Sequence, residues 1–136
     1  MKKILFFLAC ILFCVTVKAQ TKSQYLMIVR FKTDFKPATD STISVNIKHW
    51  QAYMGMLGQS GAIAAGYRPS GDGVTISGTQ KAITNGPYVA NNDILSSILI
   101  INADNIDAAK AIAAKCPALE LGGSVEVRPM LNTAGK

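Results

Sequence analysis

Two stretches of this chain are too continuously apolar to face water on either side. They are Tyr25-Leu26-Met27-Ile28-Val29-Arg30-Phe31 and the run from Ile94 to Ile101. Successive strand residues point to opposite faces, so a strand without polar alternation needs cover on both. Both runs therefore read as central strands of one sheet.

Between them the period changes. Asp40, Ser41 and Thr42 are N-cap candidates for a helix running to about Gln59, stopped by Gly61. Ile43, Ile47, Trp50, Met54 and Leu57 recur at helical spacing and predict one buried stripe. Ala62 to Tyr67 reads as a strand, Arg68 to Gly73 as a turn, and Val74-Thr75-Ile76 and Gln80 to Ile83 as two short strands. Asn85-Gly86-Pro87-Tyr88 reads as a further turn. After the second apolar strand, Asp104 caps a helix from Asn105 to Cys116, which Pro117 ends. Ser124 to Arg128 alternates and closes the sheet.

The order is strand, helix, strands, strand, helix, strand. Two helices cannot cover both faces of such a sheet, and a second copy of the chain is the obvious cover for the other. The expectation is an α+β, ferredoxin-like protomer with an antiparallel sheet, pairing sheet to sheet as a homodimer.

The N-terminus is read separately. Met1-Lys2-Lys3, the apolar run Ile4 to Val17 and the small residues Val17 and Ala19 form a secretory signal peptide cleaved after Ala19. The apolar run is short for a membrane span, so no stable span remains after cleavage. Lipidation at Cys10 is the alternative use of the leader. The expectation is a secreted or periplasmic protein, with residues 1–19 as leader, 20–131 as the domain and 132–136 as a flexible tail. Loss of Lys2, Lys3 and Lys18 lowers the net charge from +6 to +3. No Lys/Arg cluster remains, which argues against nucleic acid as a partner. Cys116 is then the one cysteine left, so no intrachain disulfide forms.

Few residues carry chemistry. His49, the sole histidine, falls at the rim of the helix stripe, about 100° from Trp50, with Tyr53 one turn along. Its pKa range suits a general base, a lone axial haem ligand is the remote alternative, and a rim residue without chemistry is the plain one. Arg68 leaves the sheet at a strand end, where its planar fork can hold a carboxylate or phenolate. Arg30 lies inside the first strand and can face the same space, or sit in an ion pair. Asn85 and Tyr88 flank the Gly-Pro turn, either as a simple turn or at a pocket mouth. Gly71-Asp72-Gly73 lacks the Lys and Ser/Thr of a phosphate loop. His49 and Cys116 have no second His or Cys to complete a zinc site, so no metal and no cofactor is expected. Cys116, on an inner helical face, reads as a buried thiol rather than a nucleophile.

From Trp50 to Met130 the chain resembles the YCII-related proteins, in the DGPF-domain branch. The matching residues are the helix end with Tyr53, Leu57 and Gly61; Gly66 with Pro69; Asn85-Gly86-Pro87-Tyr88, where the family has Asp-Gly-Pro-Phe; Ala113-Ala114-Lys115-Cys116-Pro117; and Gly123 to Pro129. The resemblance implies a dimeric α/β barrel and, in part of the family, small enzymes with a His-Asp pair in a cleft. Here Asn85 replaces the acid of the turn, and Ala90 and Asn92 stand where a Glu and a Lys usually follow, while Asp93 keeps an acid. Asn85 can orient an imidazole through its carbonyl but cannot stabilise its charged form as a carboxylate does.

The expectation for function is a homodimer that binds a small aromatic or anionic molecule between the first helix and the sheet. In its enzymatic form, His49 is the base of a metal-free proton transfer or elimination, Tyr53 and Tyr88 are walls, Asn85 orients His49, and Arg68 holds the anion. The rivals are a non-catalytic binding or structural module and, by analogy of fold, a cofactor-free monooxygenase.

Overall fold

The structure is a computed structural model that describes residues 22–131. The expected leader and the expected C-terminal tail lie outside these residues. The elements are β1 (Ser23–Lys32), α1 (Asp40–Gln59), β2 (Ile63–Tyr67), β3 (Val74–Ser77), β4 (Ala82–Asn85), β5 (Val89–Ala90), β6 (Asp93–Ala103), α2 (Ile106–Ala113), a 3-10 helix (Pro117–Leu121) and β7 (Ser124–Pro129).

The two apolar runs take the central places. The main sheet has the order β2-β6-β1-β7, every pairing is antiparallel, and β5 also pairs with β6. This is the strand order of a ferredoxin-like split βαβ arrangement. Tyr25, Met27 and Val29 of β1, with Leu99, Ile101 and Ala103 of β6, meet Tyr53 and Leu57 of α1 and Ala109 and Ala113 of α2 in one core. Both helices therefore lie on one face of the sheet. Leu26, Ile28, Ile98 and Ile100 alternate onto the other face and stand outside that core cluster; Ile28 is buried and the other three are half-buried. No described helix covers them.

The helix boundaries shift from those expected. Thr39, not a residue from Asp40 to Thr42, caps α1: its backbone is extended and Thr42 N donates to its Oγ1 at 3.1 Å. Asn105 rather than Asp104 caps α2, accepting from Ala108 N at 2.9 Å. Lys81 adopts φ 51° in the tight turn between β3 and β4, so β4 starts at Ala82 rather than Gln80. Asn85 consequently ends a strand, paired with Val74, and does not open a turn.

The buried stripe of α1 is also rotated. Its buried residues are Asn46, Tyr53 and Leu57, while Ile43 and Ile47 are exposed and Trp50 and Met54 only half-buried. The cause is the packing partner. α1 packs Tyr53 and Leu57 onto the central strands and also lies against β2 and the 3-10 helix, where Asn46 bonds the Pro117 carbonyl. Spacing alone does not reveal that neighbour. At the far side of this contact Gly123 is required: a Cβ there would fall 2.9 Å from the Ala118 carbonyl oxygen and 3.0 Å from that of Arg30.

Candidate functional site

The exposed apolar face of α1 is one wall of an open cleft of about 1850 Å³. Ile43, Ile47, Trp50 and Met54 form that wall, and Val74, Thr75 and Ile76 of β3 border the same cleft. Phe31 and Phe35, stacked with centroids 4.8 Å apart, lie at the β1 end. Such a surface favours a flat apolar body, and its aromatic rings offer offset or edge contacts to another ring.

Two of the expected site residues line the cleft. Arg68 follows β2 and Tyr88 precedes β5, and both border it. No described side chain forms an ion pair with Arg68. A guanidinium without a carboxylate at the edge of an apolar space is suited to an anionic ligand group. Arg30 also borders the cleft but is engaged. Its Nη1 lies 2.7 Å from Glu126 Oε2, and Glu126 also accepts from Arg128 Nε. Hydrogen bonding from Arg30, then from Arg128, holds the Glu126 carboxyl below the usual range. Asp93, the acid expected in this region, is paired with Lys32 at 2.9 Å.

The other expected residues are placed elsewhere. Tyr53 is a core residue, 5% exposed, and is absent from the cleft lining. Its hydroxyl donates to the Ile112 carbonyl at 3.1 Å, tying α1 to α2, and its ring meets Trp50 edge-on at 5.9 Å. Burial, then the nearby Cys116, pushes its phenol far above the ordinary tyrosine range, so it stays neutral. Cys116 is itself buried, and burial raises its thiol. Asn85 is exposed on the β3–β4 hairpin, and no hydrogen bond joins it to His49.

His49 instead meets an acid that sequence reasoning does not suggest. Its Nδ1 lies 2.8 Å from Glu120 Oε2. The same oxygen accepts from Asn46 Nδ2 at 3.2 Å, and Asn46 also donates to the Pro117 carbonyl at 2.8 Å. The hydrogen bond from His49 is the main cause that holds the Glu120 carboxyl below its ordinary range. An ionised carboxylate only accepts, so Nδ1 carries the hydrogen, and in the neutral ring Nε2 is the proton-accepting atom. The pair is half-exposed, with side chains at 51% and 48%, and His49 does not line the cleft that its helix neighbours Asn46 and Trp50 border. Asn46 carried a signal, a polar residue three positions before His49 on the same face. Glu120 carried none, because the 3-10 helix that presents it was not expected.

Among the described residues no cluster of three or more His, Cys, Asp or Glu side chains is placed to hold a metal ion. No described helix is long and apolar enough to cross a membrane.

The α+β sheet order and the two helices on one face define the class to which this chain is then matched. The family model of the YCII-related domain covers residues 23–133, and the chain belongs to that family. No curated protein matches it. Among solved structures it is similar to 5-chloro-2-hydroxyhydroquinone dehydrochlorinase from Burkholderia phenoliruptrix AC1100, solved in complex with 2,5-dihydroxybenzoquinone. That pairing has 19% identity, covers 79% of this chain and 94% of that one, and gives a TM-score of 0.40.

Proposed function

We propose that this YCII-related protein, of the DGPF branch, is exported, pairs as a homodimer through the open face of its sheet, and binds a small aromatic anion in the α1 cleft. The observation that carries the reading is Arg68, without an ionic partner among the described residues, at the edge of a cleft walled by Trp50, Ile47 and the Phe31–Phe35 pair. The apolar walls take the ring, and the guanidinium takes the carboxylate or phenolate. The pairing reading rests on Leu26, Ile98 and Ile100, half-buried on a sheet face that no described helix covers.

Trp50 is the only tryptophan in the chain, so its emission reports occupancy of the cleft. Titration with 4-hydroxybenzoate should change that emission, and hexanoate should do so far less. Arg68→Ala should weaken 4-hydroxybenzoate binding roughly ten- to hundredfold, the loss of one charge-assisted contact. An unchanged Trp50 signal with every aromatic acid tried would overturn the reading.

The His49–Glu120 contact favours a second reading, metal-free proton transfer or elimination with His49 as base at the half-exposed rim of α1, beside the cleft and not within it. Here Glu120 takes the orienting role expected of Asn85. His49→Ala should then abolish turnover while the far-ultraviolet spectrum stays native. Turnover that survives this substitution removes His49 from the chemistry and leaves a binding module.

A further inference from the structure

β6 is paired without interruption on one side and in two pieces on the other. β1 runs along its whole length, from Ser23 opposite Ala103 to Lys32 opposite Asp93. On the other side β2 pairs as far as Tyr67, opposite Ile98, and β5 begins at Val89, opposite Ile94. Leu95, Ser96 and Ser97 have no strand partner on that side. The chain leaves the sheet edge at Arg68, makes the β3–β4 hairpin and returns at Tyr88, so these two residues flank the gap.

The gap is polar at its centre. Ser96 and Ser97 are the only polar residues between Ile94 and Ile101. The register against β1 also slips here: Val29 pairs with Ser97 and Arg30 with Leu95, so Ser96 is the extra residue of a β-bulge and is unpaired on both sides. Both serines are half-buried. Among the described residues no side-chain hydrogen bond uses either hydroxyl. A hydroxyl drawn part-way out of water gains from a hydrogen-bonding partner.

The register brings Arg68 to the same place. Tyr67 lies opposite Ile98, and the same register carried one step on sets Arg68 opposite Ser97. Side chains alternate along a strand, so Ser97 shares a face with the core residue Leu99, and Arg68 shares one with Gly66, the partner of Leu99. That face is the one α1 covers, because a Cβ on Gly66 would lie 3.8 Å from Met54 Cε. Arg68, Ser96 and Ser97 all border the cleft, and Arg68 has no ion pair among the described residues.

We propose that Arg68, Ser97 and the bulged Ser96 form a carboxylate-binding site at this gap in the sheet edge. The planar guanidinium fork engages both carboxylate oxygens. Each oxygen keeps a further lone pair, and the serine hydroxyls donate to these. A phenolate has one oxygen and cannot span the fork. The site rests on the cleft-binding reading above and narrows its choice of anion to a carboxylate.

The test follows the backbone amide resonances of positions 95–98 in the full chain at pH 6.5, titrated with benzoate, acetate, pentafluorophenolate and inorganic phosphate. Benzoate should bind about fivefold or more tightly than pentafluorophenolate, a single-oxygen anion at this pH. Ser97→Ala should weaken benzoate about tenfold, the loss of one hydrogen bond to a charged group, and shrink its preference over pentafluorophenolate. Ser97→Thr keeps the hydroxyl and should restore both. Ser96→Ala should weaken benzoate about threefold. Equal weakening of the two anions in Ser97→Ala overturns the site, because a purely structural defect does not choose between them. Benzoate affinity unchanged in both serine variants but lowered in Arg68→Ala also overturns it and keeps the cleft reading. Acetate bound as tightly as benzoate, and weakened by Ser97→Ala, keeps the carboxylate site and overturns the aromatic reading. Phosphate bound more tightly than acetate overturns the assignment to carboxylates. No shift with either carboxylate overturns the site and the cleft reading together.

Discussion

Nδ1 of His49 on α1 and Oε2 of Glu120 on the 3-10 helix stand 2.8 Å apart, and Asn46 donates to the same carboxylate oxygen. The contact joins two elements that are remote in the chain, and it has consequences for pH response and for stability.

Glu120 is held below its ordinary carboxylate range in the folded protein, chiefly by His49. A depressed folded value means the contribution is present above the unfolded pKa, near 4.3, and is lost as pH falls through the folded value. Wild type should therefore exceed Glu120→Gln in urea midpoint at pH 6, and the gap should close on acidification below about pH 4. Because the pair is half-exposed, the gap should also shrink in high salt. A gap independent of both pH and salt would show that the carboxylate charge is not what stabilises the contact.

Asn46 is the buried polar residue of the described chain, and its amide reaches the Pro117 carbonyl at 2.8 Å. Asn46→Ala leaves that carbonyl without this partner and should cost about 1–3 kcal/mol in denaturant unfolding. It should also loosen the 3-10 helix, seen as faster amide exchange from Leu119 to Gly122.

Tyr53→Phe separates a core role from a binding role. The hydroxyl bonds the Ile112 carbonyl inside the protein and does not border the cleft. The substitution should cost about 0.5–1.5 kcal/mol of stability and leave 4-hydroxybenzoate affinity unchanged. A fall in affinity with stability intact would return Tyr53 to the binding surface.

The glycines should behave oppositely. Gly123→Ala forces a Cβ against two carbonyl oxygens and the Phe31 ring and should destabilise by about 1–3 kcal/mol. Gly58 lies within α1 with open space around it, so Gly58→Ala should stabilise by about 0.5–1 kcal/mol through helix propensity. Thermal midpoints of the two variants should move in opposite directions.

What the amino-acid sequence determined by itself was the order of elements and the centre of the sheet. Nearly continuous apolar runs at 25–31 and 94–101 mark strands that want cover on both faces, and β1 and β6 are neighbours in the middle. The position of Arg68 beside Pro69 at the end of a strand, and of Tyr88 in a Gly-Pro turn, was legible, and both residues border the cleft. Only the tertiary structure decided which side of α1 is inward. Ile43 and Ile47 satisfy a helical period as well as Asn46 and Tyr53 do, and the position of β2 and the 3-10 helix selects between the two faces. The same packing turned Tyr53 into the core and paired His49 with Glu120 instead of Asn85. Periodicity records which residues share a face. Contacts between elements distant in the chain decide what that face meets.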